Sequence, residues 1–161
     1  MKILVCVKRL FLLFVIAFLI ILIGNCHFTK RKLESCELIE RVEDNYVEAF
    51  ENYKYCIRPM FAADQKLALR LWQREMSYLS KKCDRVVKTS GYASEDIKNL
   101  VRDLIGAMSQ FETELRCCES VDRAGILRMV NKMDKKYELF ASGAEEFDCF
   151  VVRVSYCDEY K

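Results

Sequence analysis

The residues of this sequence that could do chemistry are its cysteines. The 161-residue chain contains nine of them, and eight follow the apolar N-terminal segment: Cys26, Cys36, Cys56, Cys83, Cys117, Cys118, Cys149 and Cys157. The intervals are mostly as long as a helix, so each cysteine tends to fall near a helix end. This spacing predicts disulfide bonds between successive helices, each stabilising the fold by about 2–4 kcal/mol. Eight cysteines allow so many pairings that the connectivity stays open.

The adjacent cysteines Cys117 and Cys118 place the strongest constraint on that connectivity. Neighbouring cysteines rarely bridge each other, because the bond would strain the peptide between them. We therefore expect the two to pair with different helices, one of them with the C-terminal segment. They end an apolar-periodic stretch, residues 94–118, around which we expect the rest of the chain to be organised.

The sequence offers few residues that are suited to metal binding, nucleophilic catalysis or phosphate binding. A zinc site needs ligands in pairs two to four residues apart, and the spacing of the cysteines supplies no such pair. The single histidine, His27, lies beside the N-terminal segment, where it is poorly placed to activate a serine or cysteine nucleophile. The glycines are not clustered into a phosphate-binding loop. We predict no catalytic site, no cofactor and no metal.

The N-terminal segment is typical of a secretory signal peptide. Three basic residues accompany fourteen uncharged apolar ones (residues 10–23), and Gly24 and Asn25 interrupt that run. A positive start, a short apolar run and small residues at the cut define such a leader. Fourteen residues are also fewer than the roughly 20 that a transmembrane helix needs. The sequence predicts a signal peptide at 1–24 and a single cysteine-rich helical domain at 25–161, secreted from the cell.

Two alternatives for the leader stay open. Cleavage after Gly24 leaves eight cysteines and cleavage after Cys26 leaves seven; an even number suits an oxidising compartment and favours the first. An uncleaved leader would instead anchor the protein, and Lys8 and Arg9 favour the cytoplasm for its N-terminus.

The charge balance argues against nucleic-acid partners. Three of the 26 basic residues lie in the leader, so 23 basic and 24 acidic residues remain in the mature chain. This near-neutral balance gives no overall attraction to nucleic acid or to anionic lipid, and we expect no stable membrane insertion after cleavage. The mature sequence also has no Asn-x-Ser/Thr sequon, so N-glycosylation is not expected.

Helical periodicity dominates the rest of the chain. Apolar residues recur at three- and four-residue steps in four long segments: 35–59, which ends at the only proline, 62–88, 94–118 and 120–143. Residues 27–32 would form a basic, mobile lead-in. The final stretch, 147–157, fits a helix or a strand, and helix is more economical because no second strand is available. The sequence predicts an all-α, disulfide-bonded bundle of four to five helices.

The cysteine layout resembles that of a known group of proteins. A secretory leader, one helical unit, the adjacent pair Cys117 and Cys118, and the final interval from Cys149 to Cys157 are similar to the secreted eight-cysteine domains of unknown function expanded in nematodes. The resemblance implies several disulfides and no assigned activity, and no functional residue carries over from it.

Binding is the function class that remains. The first hypothesis is a secreted, disulfide-stabilised helical protein that binds a protein partner outside the cell. The alternative is a carrier of a small apolar ligand, whose cavity could be lined by Tyr46, Phe50, Trp72, Phe111, Phe140, Phe147 and Phe150. Such aromatic stripes are more typical of a filled core. The second alternative is a lumenal or extracellular protein held to the membrane by its uncleaved leader.

Overall fold

All regular secondary structure in the described part of the chain is helical. The computed structural model describes residues 2–154, with side chains from Phe14 onward. Its helices are α1 (Lys2–Asn52), α2 (Arg58–Ala63), α3 (Gln65–Thr89), α4 (Glu95–Cys117) and α5 (Arg123–Glu145), and a π-helical turn, Tyr53–Ile57, joins α1 to α2. No strand occurs within residues 2–154. The predicted all-α bundle is confirmed.

Side-chain caps set the starts of the three later helices. Asp64, Ser94 and Asp122 have extended backbones, and each accepts a hydrogen bond from the backbone N–H three residues further on. Such a cap satisfies a donor that the first helical turn leaves unpaired. The predicted stretch 94–118 is thus observed as α4 with its cap, Ser94.

The proline does not end the first helical stretch as predicted. Pro59 lies in the first turn of α2, directly after the π turn, and the helical backbone continues past it to Ala63. The chain widens just before it, and the N–H of Arg58 bonds to the carbonyl of Tyr53, five residues back. Tyr53 and Ile57 both stay buried, so the π turn keeps the apolar face on the core.

Aromatic side chains fill the core between the helices. α3 packs against α1 and α4, and α5 packs against α4. Trp72, which is 1% exposed, has its ring centroid 4.4 Å from Tyr53 and 4.9 Å from Phe111. Tyr46 of α1 stacks on Tyr137 of α5 at 4.0 Å. Pairs of this kind add to the free energy of burial.

Both ends of the domain differ from the sequence-based predictions. α1 continues through Gly24 and Asn25, so residues 27–32 are helical and do not form a mobile lead-in. At the other end, α5 passes Gly143, and Asp148 turns the chain with a φ of 56°. Residues 149–154 are neither helix nor strand, so the predicted helix is wrong there. Its final part, 155–157, lies outside the described residues.

Candidate functional site

One disulfide ties the first helix to the end of the domain. Cys36 on α1 and Cys149 after α5 are bonded, with their Cα atoms 5.2 Å apart and a sequence separation of 113. Their Cβ atoms can meet because the turn at Asp148 brings the chain back toward α1. This bond confirms that the chain contains a disulfide pair, and a role for further pairs stays a prediction.

The other cysteines that the structure describes carry free thiols. They are Cys26, Cys56 and Cys117, which are exposed, Cys118, which is half-buried, and Cys83, which is buried. Neither Cys117 nor Cys118 is bonded here, and the expectation that they pair with two different helices stays a prediction. Burial raises the pKa of the Cys83 thiol to about 12, which disfavours its reactive thiolate form. Cys157 lies outside the described residues.

The segment after the disulfide, residues 149–154, is held by two buried polar groups. The carboxylate of Glu43 accepts a hydrogen bond from the N–H of Val152 at 2.6 Å, and the hydroxyl of Tyr137 donates to the carbonyl of Val152 at 2.8 Å. Burial is the main cause of a raised pKa at Glu43, the nearby carboxylates of Asp44 and Glu40 add to it, and the Val152 bond opposes it. Because Glu43 is only 7% exposed, it has little access to solvent. The arrangement therefore serves to hold the backbone of residues 149–154 in place.

The loop between α3 and α4 packs against α1 from residue 27 onward. The ring of Tyr92 lies edge-on to His27 at 6.5 Å, and the ammonium of Lys30 lies 3.9 Å above its centroid. The N–H of Tyr92 donates to Glu34. The N–H of Ser94 donates to the hydroxyl of Ser35 at 2.9 Å. These contacts make the segment of α1 from residue 27 onward part of the bundle.

Three elements meet at this end of the bundle, and we call residues 27–35, 90–94 and 146–148 the basal face. Lys32 of α1 pairs with Asp148 at 2.9 Å, which lowers the pKa of that carboxyl. A groove of about 360 Å³ beside this pair is lined partly by Phe28 and Phe147. Phe28, Tyr92 and Phe147 are 71%, 53% and 38% exposed. The basal face therefore presents aromatic side chains from three separate elements.

From residue 14 to residue 23, α1 projects beyond the basal face and is not covered by the bundle. Every residue from 14 to 23 is exposed. Within the described residues, one helical stretch, Phe14–Ala63, is long and apolar enough to cross a membrane, through an 18-residue window of mean hydropathy 1.5 in which nothing is buried. Both a membrane anchor and a secretory leader meet this criterion.

The aromatic residues considered as the wall of a ligand cavity are either packed against one another or partly exposed. Tyr46, Trp72, Phe111 and Phe140 are buried against other rings, whereas Phe147 and Phe150 are exposed and Phe50 is half-buried. The clefts found elsewhere are grooves of about 290 to 570 Å³ open to solvent. No group of three or more His, Cys, Asp and Glu side chains suited to a metal occurs among the described residues.

Sequence reasoning missed both the basal face and the Glu43 bond. The signal available for the basal face was Phe28, an aromatic residue directly after the apolar run and before Lys30. Tyr92 and Phe147 join it only in three dimensions. Glu43 had no such signal, because it is one of many acidic residues on its helix.

Comparison with known proteins finds no match: no family model, no curated protein and no solved structure is significantly similar to this chain. The resemblance to the nematode eight-cysteine domains stays a prediction.

Proposed function

We propose that the chain is exported from the cytoplasm and that its helical bundle acts by binding a partner protein in an oxidising compartment, without catalysis. The observation that carries this proposal is the disulfide between Cys36 and Cys149. Structural disulfides form and persist mainly outside the cytosol, where thiols are not kept reduced. The bond joins both ends of the bundle, so its formation is part of completing the fold.

The filled core supports binding through the surface over carriage of a ligand. Trp72 is enclosed by Tyr53, Phe61 and Phe111. An apolar ligand would have to displace these rings, since a carrier encloses most of its ligand's surface.

The surface also offers residue types that are common at protein interfaces. Tyr78 and Arg74 line a groove of about 390 Å³ between α3 and the π turn. Tyr55, on that turn, is 67% exposed and Tyr78 is 59% exposed. Tyrosine and arginine are enriched among the residues that dominate binding energy.

Export can be tested by a glycosylation reporter. Lys88→Asn creates the sequon Asn-Thr-Ser at an exposed position near the end of α3, and Lys88→Gln is the matched control without a sequon. We expect a glycan on the first variant only, when the full chain is expressed in a eukaryotic cell. Alkylation without reduction should leave Cys36 and Cys149 unmodified. An unglycosylated chain with both thiols alkylated would refute export.

The carrier alternative makes a different prediction. Trp72 is the only tryptophan, and a ligand in the core would lie within energy-transfer distance of it. We expect no saturable transfer from Trp72 to a naturally fluorescent polyene fatty acid during titration. Saturation at one fatty acid per chain would favour the carrier.

A further inference from the structure

We propose that α1 remains uncleaved as a transmembrane anchor and that the basal face of the bundle lies against the headgroups of the outer leaflet. This inference rests on the proposed export and adds its partner: a lipid bilayer. It is carried by the length of the uncharged helix, the exposure of its side chains and the aromatic residues at its end.

The helix is long enough to cross the bilayer. α1 continues through Gly24 and Asn25, so its uncharged part does not stop at residue 23. It runs over residues 10–29, which are the 20 residues between Arg9 and Lys30. At the rise of an α-helix these span roughly 30 Å. That matches a hydrocarbon core of about 30 Å.

The exposure of the apolar side chains of this helix indicates that it lies in an apolar environment. Phe14, Leu19 and Ile20 are 75%, 50% and 65% exposed, and at 3.6 residues per turn they lie on three different sides of α1. A helix that is apolar all round is suited to burial in a protein core or a membrane, and here no part of the bundle reaches residues 14–23. Lipid would cover all of its faces at once.

The disulfide sets the orientation. Basic residues flank the uncharged helix on both sides, at Lys8 and Arg9 and again at Lys30 and Arg31, so the flanking charges do not choose a direction strongly. The Cys36–Cys149 bond requires the bundle to lie on the oxidising side. The N-terminus then lies in the cytoplasm.

The basal face has the composition of a membrane interface. Tyrosine is enriched where hydrocarbon meets headgroups, and Tyr92 packs against His27 near the end of the uncharged helix. Phe28 and Phe147 line the basal groove at the same end of this helix. Lys30, stacked on Tyr92, can extend its ammonium to the phosphate layer. Asp96 and Glu146 also line the basal groove, so we expect aromatic contact that does not depend on anionic lipid.

Anchoring and export are tested separately by the Lys88→Asn reporter in the full chain. We expect a glycosylated product that stays in the membrane pellet at alkaline pH and keeps its N-terminal peptide, detected by mass spectrometry. A glycosylated product in the medium that begins at Asn25 or His27 would overturn the anchor and leave export standing. An unglycosylated product in which Cys36 and Cys149 are both alkylated would overturn both.

A designed cut site provides the matched comparison. Ile23→Ala with Asn25→Ala creates an Ala-x-Ala sequence of the kind that signal peptidase recognises. We expect this double variant to move from the membrane to the medium, whereas Ile23→Leu with Asn25→Gln should stay in the membrane. If both double variants were released into the medium to the same extent, the native helix would not be acting as a membrane anchor.

Contact between the basal face and lipid is tested with an added tryptophan. Tyr92→Trp is placed in the full chain, in neutral phosphatidylcholine vesicles that carry bromine near the headgroup end of the acyl chains. Tyr78→Trp is the control, because Tyr78 lies far from the basal face. It lines a groove with Asn52, and Asn52 follows Phe28 by 24 residues, or roughly 36 Å along α1. We expect bromine to quench most of the fluorescence added by Tyr92→Trp and little of that added by Tyr78→Trp. Equal quenching at both positions, or a second copy cross-linked over Tyr92 with no quenching, would overturn the proposal.

Discussion

The carboxylate of Glu43 and the backbone N–H of Val152 are joined by a 2.6 Å hydrogen bond across 109 residues of sequence. Together with the nearby disulfide, this bond holds the segment after α5 against α1. The hydroxyl of Tyr137 completes the attachment by donating to the carbonyl of Val152. The attachment of this segment therefore depends on a few specific groups, each of which can be removed singly.

Removing the Glu43 side chain should destabilise the fold. Glu43→Ala leaves the N–H of Val152 without its acceptor, and we expect a loss of about 1–3 kcal/mol in the free energy of unfolding, measured with urea. Glu40→Ala is the control, since Glu40 is exposed on the same helix. Equal losses for the two variants would show that the bond to Val152 contributes nothing specific.

Glu43→Gln should change the pH dependence of stability. The pKa of Glu43 is raised above its ordinary value of 4.5 in the folded state, mainly by burial. The folded protein therefore binds this proton more tightly than the unfolded chain does, and stability falls as the pH rises from that ordinary value through the raised pKa. The glutamine variant lacks this loss, so its stability relative to the original protein should increase over the same window. Parallel urea-unfolding profiles against pH would contradict the assignment.

Loss of the disulfide should be costly. Cys36→Ala with Cys149→Ala frees a loop of 113 residues in the unfolded state, and we expect a loss of about 2–5 kcal/mol. Chemical denaturation of the oxidised protein measures it. Cys56→Ala is the control, because that thiol is free and exposed, and its effect should stay within about 0.5 kcal/mol. Reduction should destabilise the original protein but not the double variant.

Two glycines should respond differently to substitution by alanine. Gly106 is an exposed position inside α4, and a Cβ there would meet nothing within 4 Å. Gly106→Ala should therefore stabilise the protein by about 0.5–1 kcal/mol, because alanine favours the helix. At Gly143 a Cβ would lie 2.7 Å from a methyl carbon of Leu100, so the same change should bring no gain. Thermal unfolding of the two variants checks the contrast.

The free thiols should differ sharply in reactivity. Cys83 is buried with a pKa raised to about 12, whereas Cys56 and Cys117 are exposed. We expect iodoacetamide at neutral pH to modify the two exposed thiols well before Cys83, which should react only on unfolding. Peptide mass spectrometry at successive times gives the order. A native protein in which none of these thiols reacts would instead support the larger set of disulfides expected from the cysteine spacing.

The sequence predicted the elements that rely on local signals. α4 follows its predicted stretch because its apolar period and its cap, Ser94, both lie in adjacent residues. The bundle core was predictable for the same reason, since Trp72 and Phe111 lie on the apolar stripes of their helices. Periodicity and capping are short-range properties, and they were sufficient for the fold class.

The features that were missed depend on contacts across the bundle. Gly24 and Asn25 are weak helix formers, yet α1 continues through them; helix propensity is a weak preference that neighbouring structure overrides. Likewise, residues 149–154 carry an apolar pattern but are held by Cys36, Glu43 and Tyr137, which replace the hydrogen bonds of a helix or strand. No local pattern identifies such partners.

The disulfide between α1 and the end of the domain also determines how the protein would carry mechanical load. A force applied between the two ends of the chain passes from α1 through the sulfur atoms to Cys149 and bypasses the helices between them. Those helices bear no tension while the bond is intact. If the bond is reduced, 113 residues become extensible, with a contour length of about 380 Å. A pulling experiment would therefore record a short, stiff molecule under oxidising conditions and a long, compliant one after reduction.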